Sequence, residues 1–396
     1  MKLFKNQKLD EFLFFTSYVL FICMNIVHDS FLLNFIGITI FKAVILGCGL
    51  LLLVKESFSQ TTPLKVINLI LISLVCFLLM VKNSDGFYQL SISFTVLYII
   101  SARTIPFKKL LHVAFYAALV PLCIVILFSQ TGIIKDYIAF DGGRNRHYLG
   151  FLYALYPSTV LFNAMGLKFV QGTNSKSDLL FWLLCIPVSY WIYQMTDPRT
   201  CFVMSLFIIL LHFILSLNPS FLSGKMTKTV ISLSLQIFCC ISLFLTIHFD
   251  SSVRWQAWLN DKLANRLELG QQSLDTYGVK PFGQIIQWIG NGLNEFGEAS
   301  DEVRNWVDCF YVKILQRYGS VFFAGWLFAM TSAMFRCSQK NMIRLLILCA
   351  IVAAHCMIDD LSLFMHFNST WFLMGTILFN SKEKPSLSTL DSFQND

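Results

Sequence analysis

Apolar runs close to twenty residues long recur along almost the whole chain, and they restrict its fold more than any motif does. They lie at 11–28, 31–54, 64–81, 87–102, 110–129, 148–166, 179–196, 200–217, 228–248, 307–334, 342–358 and 362–380. As an α-helix, a run of this length matches the hydrocarbon thickness of a bilayer. Inside lipid, a helix also satisfies its own backbone hydrogen bonds. Composition agrees: 56% of residues are hydrophobic and 13% charged, where a soluble domain carries about a quarter charged residues. The sequence therefore predicts an all-α, polytopic membrane helix bundle of about 12 transmembrane helices. Nine of them fill 1–248, a large polar loop occupies 249–306, three more fill 307–380, and the polar tail 381–396 is expected to be disordered and cytoplasmic.

The net charge of +7 comes from lysines and arginines at helix ends, without a basic stripe interleaved with aromatics, so nucleic acid is not an expected partner. Basic residues instead favour cytoplasmic loops. With the N-terminus inside, Lys2, Lys5, Lys8, Lys55, Lys65, Arg103, Lys108, Lys109, Lys168, Lys176, Lys225, Lys228, Arg336, Lys340, Arg344, Lys382 and Lys384 fall on the cytoplasmic side. The short outer connections hold Lys82, Lys135, Arg144, Arg146 and Arg199. An even number of spans keeps both termini cytoplasmic and places 249–306 outside. No small-residue cleavage site follows the first apolar run, which reads as a retained helix. In the outer segment, Val253–Leu267 sets Trp255, Trp258, Leu259 and Leu263 near one face at helical spacing, and a second run, Pro281–Ile289, follows. This segment reads as short helices lying on the membrane. The 12 cysteines are scattered, without CxxC or Cys/His ligand spacing. Inert buried thiols, no disulfide, no metal and no cofactor are expected.

The outer face collects cations. Arg144, Arg146 and His147 precede a helix, Arg199 sits in the turn Thr196-Asp-Pro-Arg-Thr200, Arg254, Arg266 and Arg304 come from the large loop, and Arg317 lies two turns into the next helix. An arginine below the headgroups is costly unless paired, and guanidinium forks bind phosphate oxygens bidentately. Together they suit a diphosphate-bearing lipid; singly, each also suits snorkelling to headgroups or pairing with Asp141, Asp197 or Glu268. Candidate acids and bases are Asp308, His147, Asp301, Glu302, Glu295, Asp359, Asp360 and His366. Asp308 opens an apolar helix, where a carboxylate serves either as a general base or as an N-terminal cap. Lys42, in mid-span, faces a polar cavity or marks a tilted helix. No phosphate-binding loop, ATPase motif or nucleotide-sugar aspartate motif is present on the inner side.

Four places resemble Wzy-type polysaccharide polymerases, relatives of the O-antigen ligases. Arg144-Asn-Arg146-His-Tyr-Leu-Gly150-Phe151 is similar to the family's arginine-rich stretch running into Gly-Phe, and Thr196-Asp-Pro-Arg199-Thr200 to its recurrent Ser/Pro-Arg-Thr turn. Leu263-Ala-Asn-Arg266-Leu-Glu-Leu, followed by Tyr277-Gly278 and Phe282-Gly283, resembles the outer loops of capsule polymerases. Asp308-Cys-Phe-Tyr311-Val-Lys-Ile-Leu315, closing at Tyr318-Gly319, resembles the family's Asp/His-Asn-x-Tyr-Leu helix. Two departures stand out: Leu152-Tyr-Ala-Leu-Tyr-Pro157-Ser replaces the usual His-Pro-Asn, and Asp308-Cys309 stands where ligases carry His-Asn.

The resemblance implies a GT-C-like, metal-independent glycosyltransferase of the bacterial cytoplasmic membrane. It would extend glycans between polyprenyl diphosphate-linked oligosaccharides, with a chain-length regulator and a flippase as further partners. It implies Asp308 and Arg266 as catalytic residues, and Arg144, Arg146, Arg199, Arg254, Arg317 and His147 as binders of diphosphate or sugar. The competing expectations are an O-antigen ligase, which shares the fold, and a lipid-linked oligosaccharide flippase. A sensor or structural membrane protein is a further one. Asp at 308 favours polymerase over ligase, and the unequal halves of the chain disfavour a transporter.

Overall fold

The computed structural model describes residues 7–58, 74–141, 144–172, 176–294, 296–300 and 302–379. Most of the 64–81 span, the tail 381–396, and Lys2, Lys5, Lys65, Glu295, Asp301, Lys382 and Lys384 lie outside the described residues, as do the side chains of Asp141, Arg144 and Lys176.

The chain is a bundle of helices: α1 Gln7–His28, α2 Leu33–Ile36, α3 Ile38–Phe58, α4 Phe87–Ser101, α5 Phe107–Gln130, α6 Tyr156–Gln171, α7 Lys176–Thr196, α8 Arg199–Leu217, α9 Lys225–Ser232, α10 Ser234–Ile247, α11 Arg254–Lys262, α12 Arg266–Tyr277, α13 Phe310–Arg317, α14 Gly319–Gln339, α15 Ile343–His355 and α16 Thr370–Phe379. Among the described residues six helices (α1, α3, α5, α7, α8 and α14) are long and apolar enough to cross a membrane, or seven if α9 and α10, bent by 45°, form one span. Their outward faces carry Leu50, Leu53, Leu183, Leu184, Val203, Leu210 and Phe328, all exposed. Apolar surface on this scale needs a cover, and lipid supplies one on every side. The architecture is that of a multi-pass helical membrane protein.

α1 packs on α3 and α5, α4 packs on α3 and α16, and α6 joins α5, α7 and α8 to α15. Ring contacts seal the first group: Tyr18 lies over Phe372 at 5.1 Å, and Tyr98 meets Phe21 at a tilt, 5.0 Å away. At one end of the bundle, buried Lys55 donates to Glu56, to Ser101 O and to Thr104, while Arg103 pairs with Glu56 at 2.6 Å. That cluster ties α3 to α4. At the other end, here the loop end, α1, α7, α10 and α15 finish while α3, α6, α8, α14 and α16 begin.

Several expectations change at the loop end. The run 31–54 splits at Gly37, whose φ of +82° ends α2 and starts α3 afresh. The run 148–166 becomes helical only at Tyr156. A hairpin, absent from the expected all-α fold, pairs β1 (Ile138–Asp141) with β2 (Arg144–His147) in antiparallel register, Ala139 opposite Arg146. In the large polar segment Val253–Leu267 is not one helix, because Ala264 and Asn265 both take positive φ and separate α11 from α12. Pro281–Ile289 is irregular instead of helical, since its backbone groups are drawn onto neighbouring elements.

The run 307–334 also breaks, between α13 and α14. Gly319 has φ +89°, and a Cβ there would stand 2.3 Å from Gly283 N and from Pro281 O. Gly283, at φ +76°, would set a Cβ 2.1 Å from Arg317 O. Two bare backbones therefore meet, and Gln284 N donates to Arg317 O at 3.1 Å while Val321 N donates to Pro281 O at 3.1 Å. The loop replaces the helix's own hydrogen bonds at the break.

Candidate functional site

Asp308 sits in the extended stretch leading into α13 and is buried. The N-cap position falls one residue later, at Cys309, which makes no side-chain capping bond. The carboxylate instead accepts from two guanidiniums on the same oxygen: Arg266 Nε reaches Oδ2 at 3.0 Å and Arg304 Nη2 at 2.5 Å. Arg266 arrives as the first residue of α12, placed by the left-handed turn at Ala264-Asn265. Burial opposes the Arg266 charge, but Asp308, Asp359 and Tyr153 outweigh it and raise the guanidinium's hold on its proton.

Tyr153 joins this pair to the hairpin. Its phenol lies in the field of Asp308, Arg266, Arg304 and Arg146, and burial raises it well above the ordinary tyrosine range. Arg146 extends from β2 and donates from Nε to Thr196 O at the end of α7, at 3.2 Å. Two arginines thus meet on one carboxylate, and Arg146 adds a further charge felt at the Tyr153 phenol.

The other expected residues have different surroundings. Arg317 is buried and forked onto Asp85 at 3.1 and 3.3 Å, donates to Ile286 O at 2.8 Å, and stacks 4.8 Å from the Trp288 ring. Its guanidinium is a structural latch holding the 281–289 segment. His147 holds Asp136 at 2.6 Å, and Asp136 in turn accepts from the backbone of Tyr148 and Leu149, which fixes the turn after β2. Arg199 is 65% exposed and pairs with Asp197 at 3.5 Å, and Arg254 is exposed at the start of α11. Arg144 lies in β2, its side chain outside the described residues. Glu302 is exposed.

Beneath the arginines lies a buried polar layer that sequence reasoning saw only in part. Lys313 pairs with Asp360 at 2.5 Å and stands 3.3 Å from the centre of the Trp306 ring, whose Nε1 donates to Asp360 at 3.3 Å. Asp29 accepts from Tyr88 at 2.8 Å and faces His366 at 2.7 Å and His28 at 3.0 Å. Lys313 carried a signal, a cation in an apolar helix; Asp29 carried little, at the end of a span. Asp359 is pushed up to about 7 by burial first and then by Asp360 beside it, against the pull of Arg266. Lys42, 5.9 Å from the Phe87 ring, opens onto a cleft of about 280 Å³ that Asp85 and Tyr88 also line.

No family model matches the chain, and no curated protein or solved structure matches it.

Proposed function

We propose that this protein is a membrane glycosyltransferase of the polysaccharide-polymerase type, moving a growing glycan from its polyprenyl diphosphate carrier onto a lipid-linked repeat unit. In this reading the bundle crosses a bacterial cytoplasmic membrane about twelve times, both termini are cytoplasmic, and the loop end faces outward. The observation that carries the reading is the meeting of Arg266 and Arg304 on Asp308, with the Arg146 charge also felt at the Tyr153 phenol. Such a set suits a group bearing two phosphates at the rim of a lipid-embedded site.

The geometry suggests an exchange. Guanidiniums held by a carboxylate are already oriented, and phosphate oxygens replace that carboxylate with charge-assisted hydrogen bonds of the same kind. As the bond between the sugar's anomeric carbon and the diphosphate oxygen breaks, charge grows on the leaving group, and fixed cations in a water-poor site stabilise it. Asp308, released from its arginines, accepts the proton of the attacking hydroxyl while the new glycosidic bond forms. The diphosphate departs on its lipid.

The test is single substitution followed by polymer-length analysis on membranes. Arg266→Ala, Arg304→Ala, Arg146→Ala and Asp308→Asn are expected to shorten chains at least ~10-fold in repeat transfer, the loss typical of removing a charge-stabilising donor or acid–base group. Exposed Arg199→Ala and Arg254→Ala are expected to leave chain length nearly unchanged. Normal chains from all four site variants, at normal protein level, sink the assignment.

A further inference from the structure

The buried carboxylates named above each have a basic side chain against them. Asp308 has Arg266 and Arg304, Asp360 has Lys313, and Asp29 has His28 and His366. Asp359 also faces a histidine, but there a buried thiol shares the imidazole. Its Oδ1 accepts the Leu361 N–H at 2.7 Å, which aims Oδ2 towards His355 Nε2 at 3.7 Å, and the same nitrogen lies 3.6 Å from Cys201 Sγ. Sulfur, nitrogen and oxygen lie within 4.8 Å of one another, all three residues buried. A nucleophile relay would set the carboxylate on the imidazole's far nitrogen, Nδ1; here thiol and carboxylate share Nε2. That arrangement surrounds a common point. For bonds of 2.3 Å to sulfur and 2.0–2.1 Å to nitrogen, tetrahedral zinc separates the two donors by about 3.6 Å, the distance found between Cys201 and His355.

We propose that Cys201 at the start of α8, His355 at the end of α15 and Asp359 beyond it form a binding site for one zinc-like divalent cation. The donor set, one thiolate, one imidazole and one carboxylate, suits a borderline-soft metal. A small cavity of about 10 Å³ that reaches His355, Thr159 and Asn163 is close to the size of one water molecule, which would complete the coordination from the His355 side. The ion would neutralise Asp359 and pin α8 and α15 together beneath the Asp308 site. This assignment is independent of the glycosyl-transfer reading, and neither falls with the other.

The full-length chain, purified in detergent, is loaded with Co²⁺, desalted and analysed by metal content and absorption. The expected result is about one cobalt per chain with a thiolate-to-cobalt band in the near ultraviolet, both displaced by Zn²⁺. Cys201→Ser is expected to abolish the band, and His355→Gln or Asp359→Asn to weaken retention at least ~10-fold. Cys240→Ser, at an exposed thiol, is expected to leave the band intact. A wild-type chain that retains neither cobalt nor zinc overturns the proposal, and so does an unchanged band in folded Cys201→Ser. Should the ligand variants fail to fold, metal content and the band in the wild type decide alone.

Discussion

Two guanidiniums on one oxygen of Asp308 make that residue worth more as a partner than as a free carboxylate. Removing its charge leaves two cations facing each other in a poorly hydrated setting, and breaking such an ion group costs about 3 kcal/mol. Asp308→Asn is expected to lower the unfolding temperature in micelles accordingly, and Asp308→Asn with Arg304→Gln to cost less than the sum of the two. An additive double variant would show that the pair is not coupled. Lys313 allows a cleaner test because it and Asp360 are both almost fully buried. Lys313→Met alone is expected to destabilise by about 3–5 kcal/mol, and Lys313→Met with Asp360→Leu to recover most of that, since an apolar pair removes the stranded charge. At this scale much was legible: a charge in an apolar stretch is expensive and marks itself. Its partner is not legible. Arg317, expected to bind phosphate or sugar, has Asp85, 232 residues earlier, on its fork.

Elements answer to backbone as much as to hydropathy. The apolar run through Tyr318-Gly319 reads as one helix because hydropathy does not distinguish a glycine inside a helix from one that ends it. What decides is the 281–284 segment pressing on Gly319 from outside the helix. Gly319→Ala is expected to destabilise by more than ~1 kcal/mol, since it adds a side chain where φ is positive and where no space exists. Faster proteolysis within 278–306 is the expected readout, and unchanged cleavage would show that the glycine contact does not hold the loop. The hairpin that carries Arg146 was missed for a related reason: two four-residue strands give too short an alternation to stand out among runs of twenty.

For the whole molecule, topology is the property on which the proposed chemistry depends. If the loop end faces outward, Trp258→Cys, exposed on α11, is expected to react with a membrane-impermeant maleimide on intact cells. Lys340→Cys, at the C-terminal end of α14, is expected to react only after permeabilisation. The opposite pattern would invert the protein and leave the arginines on the wrong side for a flipped lipid-linked glycan. The helical bundle would survive that result; the proposed polymerase would not.

Runs of apolar residues determined by themselves that this chain is a multi-pass helical protein of the membrane, because the transfer of backbone and side chains into lipid is a sum over local residues. Residue chemistry also singled out Asp308 and Arg266 as worth watching. Tertiary structure alone decided which charges meet: Arg266 and Arg304 with Asp308, Arg317 with Asp85, Lys313 with Asp360, and Cys201 with His355 and Asp359. Each meeting joins segments from tens to hundreds of residues apart, apart from the close pairs Arg304–Asp308 and His355–Asp359. Electrostatic energy depends on distance in space, which helix packing and two facing glycines set and which spacing along the chain does not record.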